Sequence, residues 1–377
     1  MSRTPSGMDN HIRVTTFFQH AGISAVLMFM PVIASGVTDA IFEIGIIVAS
    51  FSMAQIVSEV YFGRLSDKRG HRLLFIRAGL AACAIVHALH YFADDAHMLL
   101  LARIAAGVAT GVMIPPLLAH AYEAGRHKKK VASVVSFHAL GWLAGIVAAG
   151  IANDTDLIFL ASAGLFAAGL ASSSRLSDTR PPKETAPGTT KRVIKNNRFL
   201  FLALLMRHVG AVAVWTVLPL ILTESMGAEL WQVSVVYVAN TATAFVVMNL
   251  MAFRIHISNV TKFKAGIGMT AFVFVGLAMI DQWWQAMPFM ALVGFTWAFL
   301  YVGGSFHLMD NNPKSTSTGI FSSTISIAAV IGPVAAGAIA LAYGYVAVMY
   351  FAIIAIVAGF AMAVRIPNAV GAAPPAE

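Results

Sequence analysis

Gly63-Arg64-Leu65-Ser66-Asp67-Lys68-Arg69-Gly70-His71-Arg72 is the stretch on which the reading of the whole chain turns. It gathers four bases and one acid directly between two apolar runs, each about the roughly 20 residues that a bilayer-crossing helix needs. Gly63 and Gly70 have no Cβ, so the stretch is expected to reverse tightly and pack closely between two helix ends. Asp67 puts a carboxylate at the membrane edge, where an arginine or a helix N-terminus is its natural partner. Arg126 and the helix N-terminus near 316–319 are the candidates. Arg64, Lys68, Arg69 and Arg72 would in any case hold this turn on one side by their charge.

Working outward, the rest of the chain reads as more of the same. Hydrophobic residues make up 58% of the 377 and charged ones only 11%, and the mean hydropathy is +0.77. These values lie outside the range of soluble globular domains. Twelve apolar stretches can be laid down, at about 14–35, 44–62, 73–92, 98–118, 131–152, a sixth ending near 174, then 199–222, 231–253, 263–280, 286–306, 319–341 and 346–364. The segment before the first is polar, and the first is long enough to span, so no cleavable leader is expected. The single cysteine, Cys83, lies inside an apolar run, which excludes an internal disulfide.

The net charge of +8 could suggest a polyanion as partner, but its distribution argues otherwise. With both termini in the cytoplasm, every Lys and Arg except Arg77, Arg103 and Arg207 falls in a cytoplasmic segment. Acids such as Asp39, Asp94, Asp95, Asp154, Glu229 and Asp281 fall at the outer side. That asymmetry is the positive-inside pattern. The bases therefore set topology, and no nucleic acid is expected.

The opening stretch resembles the loop between the second and third helices of the major facilitator superfamily. The match lies at Gly63, Leu65, Ser66, Asp67, Lys68, Gly70, His71 and Arg72. The resemblance implies an all-α membrane protein of twelve transmembrane helices in two pseudo-symmetric six-helix bundles. It also implies an inner-membrane secondary transporter of a small solute, proton-coupled and exporting, with Asp67 as a latch that bridges the halves in the outward-facing state. The latch would comprise Gly63, Asp67, Gly70, Arg72 and Arg126. The run from Leu101 to Gly111, with Arg103 followed by Gly107 and Gly111, resembles the family's second motif. Ala328-x-x-x-Gly332-Pro333-x-x-x-Gly337 resembles its glycine-proline motif, more usual in the fifth span of proton-driven exporters. In the fifth span here Gly145 is followed by Ile146, a departure from that pattern.

The division expected is an N-terminal bundle at 1–174, a cytoplasmic linker at 175–198 and a C-terminal bundle at 199–377 ending in a short tail. The linker carries Pro181-Pro182 and Pro187-Gly188 and lacks a hydrophobic period. A weak repeat supports two halves. Phe17-Phe18-Gln19-His20-Ala21-Gly22 returns as Leu205-Met206-Arg207-His208-Val209-Gly210. In each copy a proline, Pro31 or Pro219, follows the histidine at the same interval. Gly141, Gly145 and Gly150 likewise match Ala328, Gly332 and Gly337. Gly145, Gly332, Pro333 and Gly337 are read as helix-packing positions, because small residues let helices approach closely in lipid.

Ionisable groups inside spans are functional candidates by default. Arg103, Arg207 and His138 are expected to line an electropositive cavity that holds an anionic group, with Trp142, Trp215, Asn240, Trp297 and Tyr301 completing it. His20 and His208, related by the repeat, are the proton-coupling candidates, since histidine's ordinary pKa is about 6.5. The bland alternatives are backbone-bonded histidines and arginines that brace helices. No acid lies mid-membrane in the first span, which favours anionic or zwitterionic cargo over cations.

No nucleophile elbow, phosphate-binding loop or metal-ligand cluster is visible, so no enzyme, cofactor or metal is expected. The partners expected are a small-molecule substrate, protons and the lipid bilayer, with the chain acting as a monomer. A multidrug exporter of lipophilic cations, a lipid or glycolipid flippase and a non-transporting membrane receptor remain as rival readings.

Overall fold

The computed structural model describes residues 6–124, 128–178, 189–253, 255, 257–312 and 314–367. Among them the chain is helical with no strand. The first half holds α1 (Ser6–Leu27), α2 (Met30–Ser35), α3 (Ile41–Arg69), α4 (Arg72–Leu89), α5 (Ala96–Ala124), α6 (Lys128–Ala152) and α7 (Thr155–Ser173). After α8 (Thr189–Asn196) come α9 (Arg198–Leu220), α10 (Leu230–Phe253), α11 (Asn259–Leu277), α12 (Ala286–Asn311), α13 (Lys314–Tyr343) and α14 (Tyr345–Val364). Among the described residues eleven spans are long and apolar enough to cross a membrane, and a shorter apolar stretch, Phe137–Ala152, lies within α6. Helices satisfy their backbone groups internally, which is what hydrocarbon demands.

The packing repeats between halves. α1 packs on α6 and α7, α3 on α5, and α4 on both α5 and α7. In the second half α9 packs on α13 and α14, α10 on α12, and α11 on both α12 and α14. The two seams between the halves, α3 with α13 and α6 with α10, obey the same correspondence.

Local sequence breaks the helices where the physics requires. Pro31 sits in the first turn of α2, and the helix before it stops at Leu27. Proline has no N–H to offer the preceding turn. The single stretch expected at 14–35 is thus two pieces. Pro219 lies inside α9, and a π-helical turn follows at Ile221–Ser225.

Two expectations are revised. α3 runs straight through the opening motif to Arg69 and reverses only at Gly70, whose φ is 69° and whose N–H donates to the Ser66 carbonyl at 2.9 Å. Gly63 is therefore helical rather than part of a turn. A Cβ there would come within 3.3 Å of the Pro115 side chain, so its smallness serves the approach of α3 to α5. The segment read as a linker without hydrophobic period contains α8, whose Val193 is buried in the main core while Ile194 stays exposed.

The halves meet most tightly at one end of the bundle, the end opposite Gly70. A Cβ on Gly45 would lie 2.5 Å from the Pro333 carbonyl oxygen, and one on Gly337 would lie 3.0 Å from the Ile41 carbonyl oxygen. Gly150 abuts the Ser234 side chain, and the Trp231 N–H donates to Asn153 Oδ1 at 3.0 Å. At the other end of α13, a Cβ on Gly319 would meet open space.

Candidate functional site

Two clusters of polar and aromatic side chains sit at equivalent places in the halves. In the first, α1 and α6 approach so closely that a Cβ on Gly141 would come 3.0 Å from that of His20. This brings the His20 and His138 rings into a parallel stack, with centroids 3.5 Å apart and planes 6° from parallel. Trp142, one turn on from His138, donates its Nε1–H to His20 Nδ1 at 3.2 Å. Indole is only a donor, so Nδ1 of His20 carries no proton in this geometry. The Ser24 hydroxyl donates to the Trp142 carbonyl at 3.0 Å and fixes that turn of α6.

In the second cluster Arg207 and His208 of α9 face Trp297 and Tyr301 of α12. The Arg207 guanidinium lies 5.6 Å from the Trp297 ring centre and Nη1 lies 3.5 Å from His208 Nδ1. The His208 and Trp297 rings are 5.5 Å apart, Trp297 and Tyr301 5.3 Å, and Tyr301 meets Phe321 of α13 edge-on. Arg207 is 1% exposed, and its Nε and Nη2 have no hydrogen-bond partner. No carboxylate lies within ion-pair distance of it among the described residues.

The remaining candidates are placed elsewhere. Trp215 lies two turns along α9, edge-on to Tyr237 and Phe274. Asn240 sits where α10 crosses α12, its carbonyl against Gly294. Arg103 is buried over the Phe51 ring of α3 at 4.5 Å. It is thus set among the helices of the first half. Gly145 packs against the Ala21 carbonyl and Gly332 against the Val209 carbonyl, the same contact in the two halves. Pro333 and Gly337 belong to the α3–α13 seam.

At the motif end, Asp67 lies on the last turn of α3, and Arg72, 3% exposed, opens α4. The Asp67 side chain and all of Arg126 lie outside the described residues. Asp178 supplies a contact the sequence did not suggest. Its Oδ1 accepts from the Leu73 N–H at 3.0 Å, capping α4, and its Oδ2 lies 3.5 Å from His71 Nδ1. Arg77 donates through Nη2 to the Ser173 carbonyl at 3.0 Å, a cap on the end of α7. Glu59 accepts from Gln55 at 2.7 Å and Asp310 from Asn259 at 3.1 Å. Tyr237, 1% exposed with an unpartnered hydroxyl, was also missed; its only signal was a phenol inside an apolar run.

The family model for the Major Facilitator Superfamily matches residues 14–317. The chain belongs to the Major Facilitator Superfamily. Relatives of this superfamily include the multidrug resistance protein MdtG of Proteus mirabilis, 24% identical over 363 residues and 89% of each chain. The quinolone resistance protein NorA of Staphylococcus aureus is 21% identical over 344 residues, 86% of this chain and 87% of that one. Among solved structures, the nucleoside transporter NupG superposes with a TM-score of 0.77 at 14% identity, covering 94% of this chain and 99% of NupG. The human organic anion transporter MFSD10 gives 0.75 at 14% identity, covering 96% and 100%. The protein is a multi-pass membrane transporter with the superfamily's fold of two six-helix bundles.

Proposed function

We propose that the protein exports a small organic anion or zwitterion with a flat aromatic part, by alternating access, in exchange for protons. The observation that carries this is Arg207: a guanidinium buried in a membrane span, with two donor nitrogens unpartnered, no carboxylate beside it and the Trp297 ring alongside. A buried charge without a counter-ion is expensive. A cargo carboxylate would offset that cost and use the free donors, while Trp297, Tyr301 and His208 offer ring faces. MFSD10, described as an organic anion transporter, shares this fold and supports the reading.

Transport follows from two bundles, 1–174 and 199–377, rocking about their seams, with 175–198 as the connection. By the positive-inside rule the end with both termini faces the cytoplasm. The tight seam at Gly45, Gly150 and Gly337 is then the closed outer gate, and this conformation opens inward. His20 and His138 are the proton site. In the inward-open geometry the Trp142 bond requires His20 Nδ1 to be bare. Two charges could not share a ring stack this close, so the pair gives up its proton inside and takes one outside. The chain works as a monomer in the inner membrane, and Asp67 latches the motif end when the outer gate opens.

Tryptophan fluorescence of the purified protein tests the cargo class. Benzoate should quench saturably in the wild type and not in Arg207→Gln. Quenching by tetraphenylphosphonium with none by benzoate would overturn the reading in favour of a multidrug exporter of lipophilic cations; MdtG and NorA are described as multidrug and quinolone resistance proteins.

A further inference from the structure

A second buried cation stands apart from the cluster around Arg207. Inside the first half, Arg103 of α5 is 1% exposed over the Phe51 ring of α3, with Nε and Nη2 unpartnered. His87 of α4 and His90, which caps the end of α4, are each 1% exposed, on the helix that packs against both α5 and α7. Both donate Nδ1–H to carbonyls of their own helix, Cys83 and Val86, each at 2.8 Å. His90 Nε2 is left buried without a partner. Phe166 and Phe159 of α7 close the cluster, with ring centres 4.8 Å from His87 and 5.0 Å from His90. No carboxylate reaches Arg103 within ion-pair distance among the described residues.

We infer that the Arg103 guanidinium holds a small inorganic anion of halide size inside the N-terminal bundle, as a site separate from the transport site. A water molecule could satisfy a free Arg103 donor, yet it would leave a full charge buried in the membrane; an anion uses the free N–H donors and offsets the charge. The ligand must be small because aromatic rings surround the polar atoms. The four helices here belong to one bundle, so the anion travels with the bundle and stabilises it in both transport states.

The probe is chloride, titrated against gluconate at constant ionic strength while thermal unfolding of the full-length purified protein is followed. The midpoint should rise and level off in the wild type and in Arg207→Gln, and stay flat in Arg103→Gln. Arg103→Lys, which keeps the charge should the glutamine variant fail to fold, should retain a weakened rise. Crystals of the wild type in bromide should show an anomalous peak bonded to the Arg103 guanidinium, a readout that needs no variant. No anion-specific rise in the wild type, a rise undiminished in Arg103→Gln, or an ordered water in place of bromide would overturn the site.

Discussion

The two halves share a scaffold and differ in what they mount on it. His20 and His208 occupy equivalent positions, and next to each the α1–α6 and α9–α13 crossings are set by the same glycine-to-carbonyl contact, Gly145 on Ala21 and Gly332 on Val209. Yet His20 stacks on a second imidazole from α6, whereas His208 turns to Trp297 on α12. The preceding residue differs as well: Gln19, 2% exposed, stands where the second half has Arg207. Duplication kept the backbone geometry, which any change would strain, and left side chains free to diverge. On the proposed function one half became a ring stack for a proton and the other a cationic site for an anion.

The comparison breaks most sharply at Arg207. A charge-assisted hydrogen bond contributes about 1.5–3 kcal/mol, so Arg207→Gln should weaken binding of an aromatic carboxylate by about 10- to 100-fold in equilibrium titration. Gln19→Ala should leave that affinity within about twofold, on the order of the 0.5 kcal/mol typical of a substitution away from the site. Equal losses in the two variants would show that the halves are not specialised.

The histidines sharpen it next. His138→Gln should abolish the pH dependence of flux in proteoliposomes while substrate exchange at equal pH survives. His208→Gln should keep the pH dependence and lose affinity. In the wild type, export should gain as the outside is acidified, because protonation there loads the pair, and should weaken as the cytoplasmic side is acidified, because release is opposed. A pH profile altered only by His208→Gln would exchange the roles of the two halves.

Much of the architecture was legible because hydrocarbon imposes it. Long apolar runs, basic residues gathered at one face and the repeated His-to-Pro interval each have one economical reading. What the sequence hid was pairing. His20 and His208 were matched by the repeat and therefore expected to work together, but helix crossings, not the pseudo-axis, bring rings into contact, and Gly141 gives His20 to His138. Arg103 and Arg207 looked alike as buried cations, yet one lies over Phe51 of α3 and the other beside Trp297 of α12. Asp178 caps α4 from more than a hundred residues away, a contact no local pattern announces. Gly63 was read as a turn because glycine serves both turns and close packing, and only the unbroken α3 separates the two uses.

Asp67→Asn compares the motif end with the closed end of the bundle. It should slow flux severalfold with expression unchanged, since under the proposed latch it removes a contact made in one state only. Flux equal to wild type would remove Asp67 from the latch. Gly145→Ala and Gly332→Ala then test the shared scaffold. Overpacking of a well-fitted crossing costs about 1–3 kcal/mol, and Gly145 is the tighter of the two, so its alanine variant should unfold at the lower temperature.

The smallest effect lies in the seam between halves. Asn153 adopts φ 47°, a left-handed conformation that asparagine tolerates better than most residues, and there its Oδ1 accepts from the Trp231 N–H. Asn153→Ala would confound backbone strain with the lost bond. Asn153→Gly keeps the conformation and deletes only the acceptor, which isolates a bond worth about 0.5–1.5 kcal/mol. If that bond helps to hold the outer gate shut, the open-outward population should rise by about two- to tenfold. A cysteine at Ser234, in a Cys83→Ala background, would read this as faster labelling by a membrane-impermeant thiol reagent. In the other seam the described contacts are packing, Gly45 on Pro333 and Gly337 on Ile41, so the same labelling after Gly337→Ala should also quicken, through overpacking instead of a lost bond. Labelling that quickens in only one of the two variants would show that the seams do not open as one gate, and the pseudo-symmetry would then describe the helices without describing their motion.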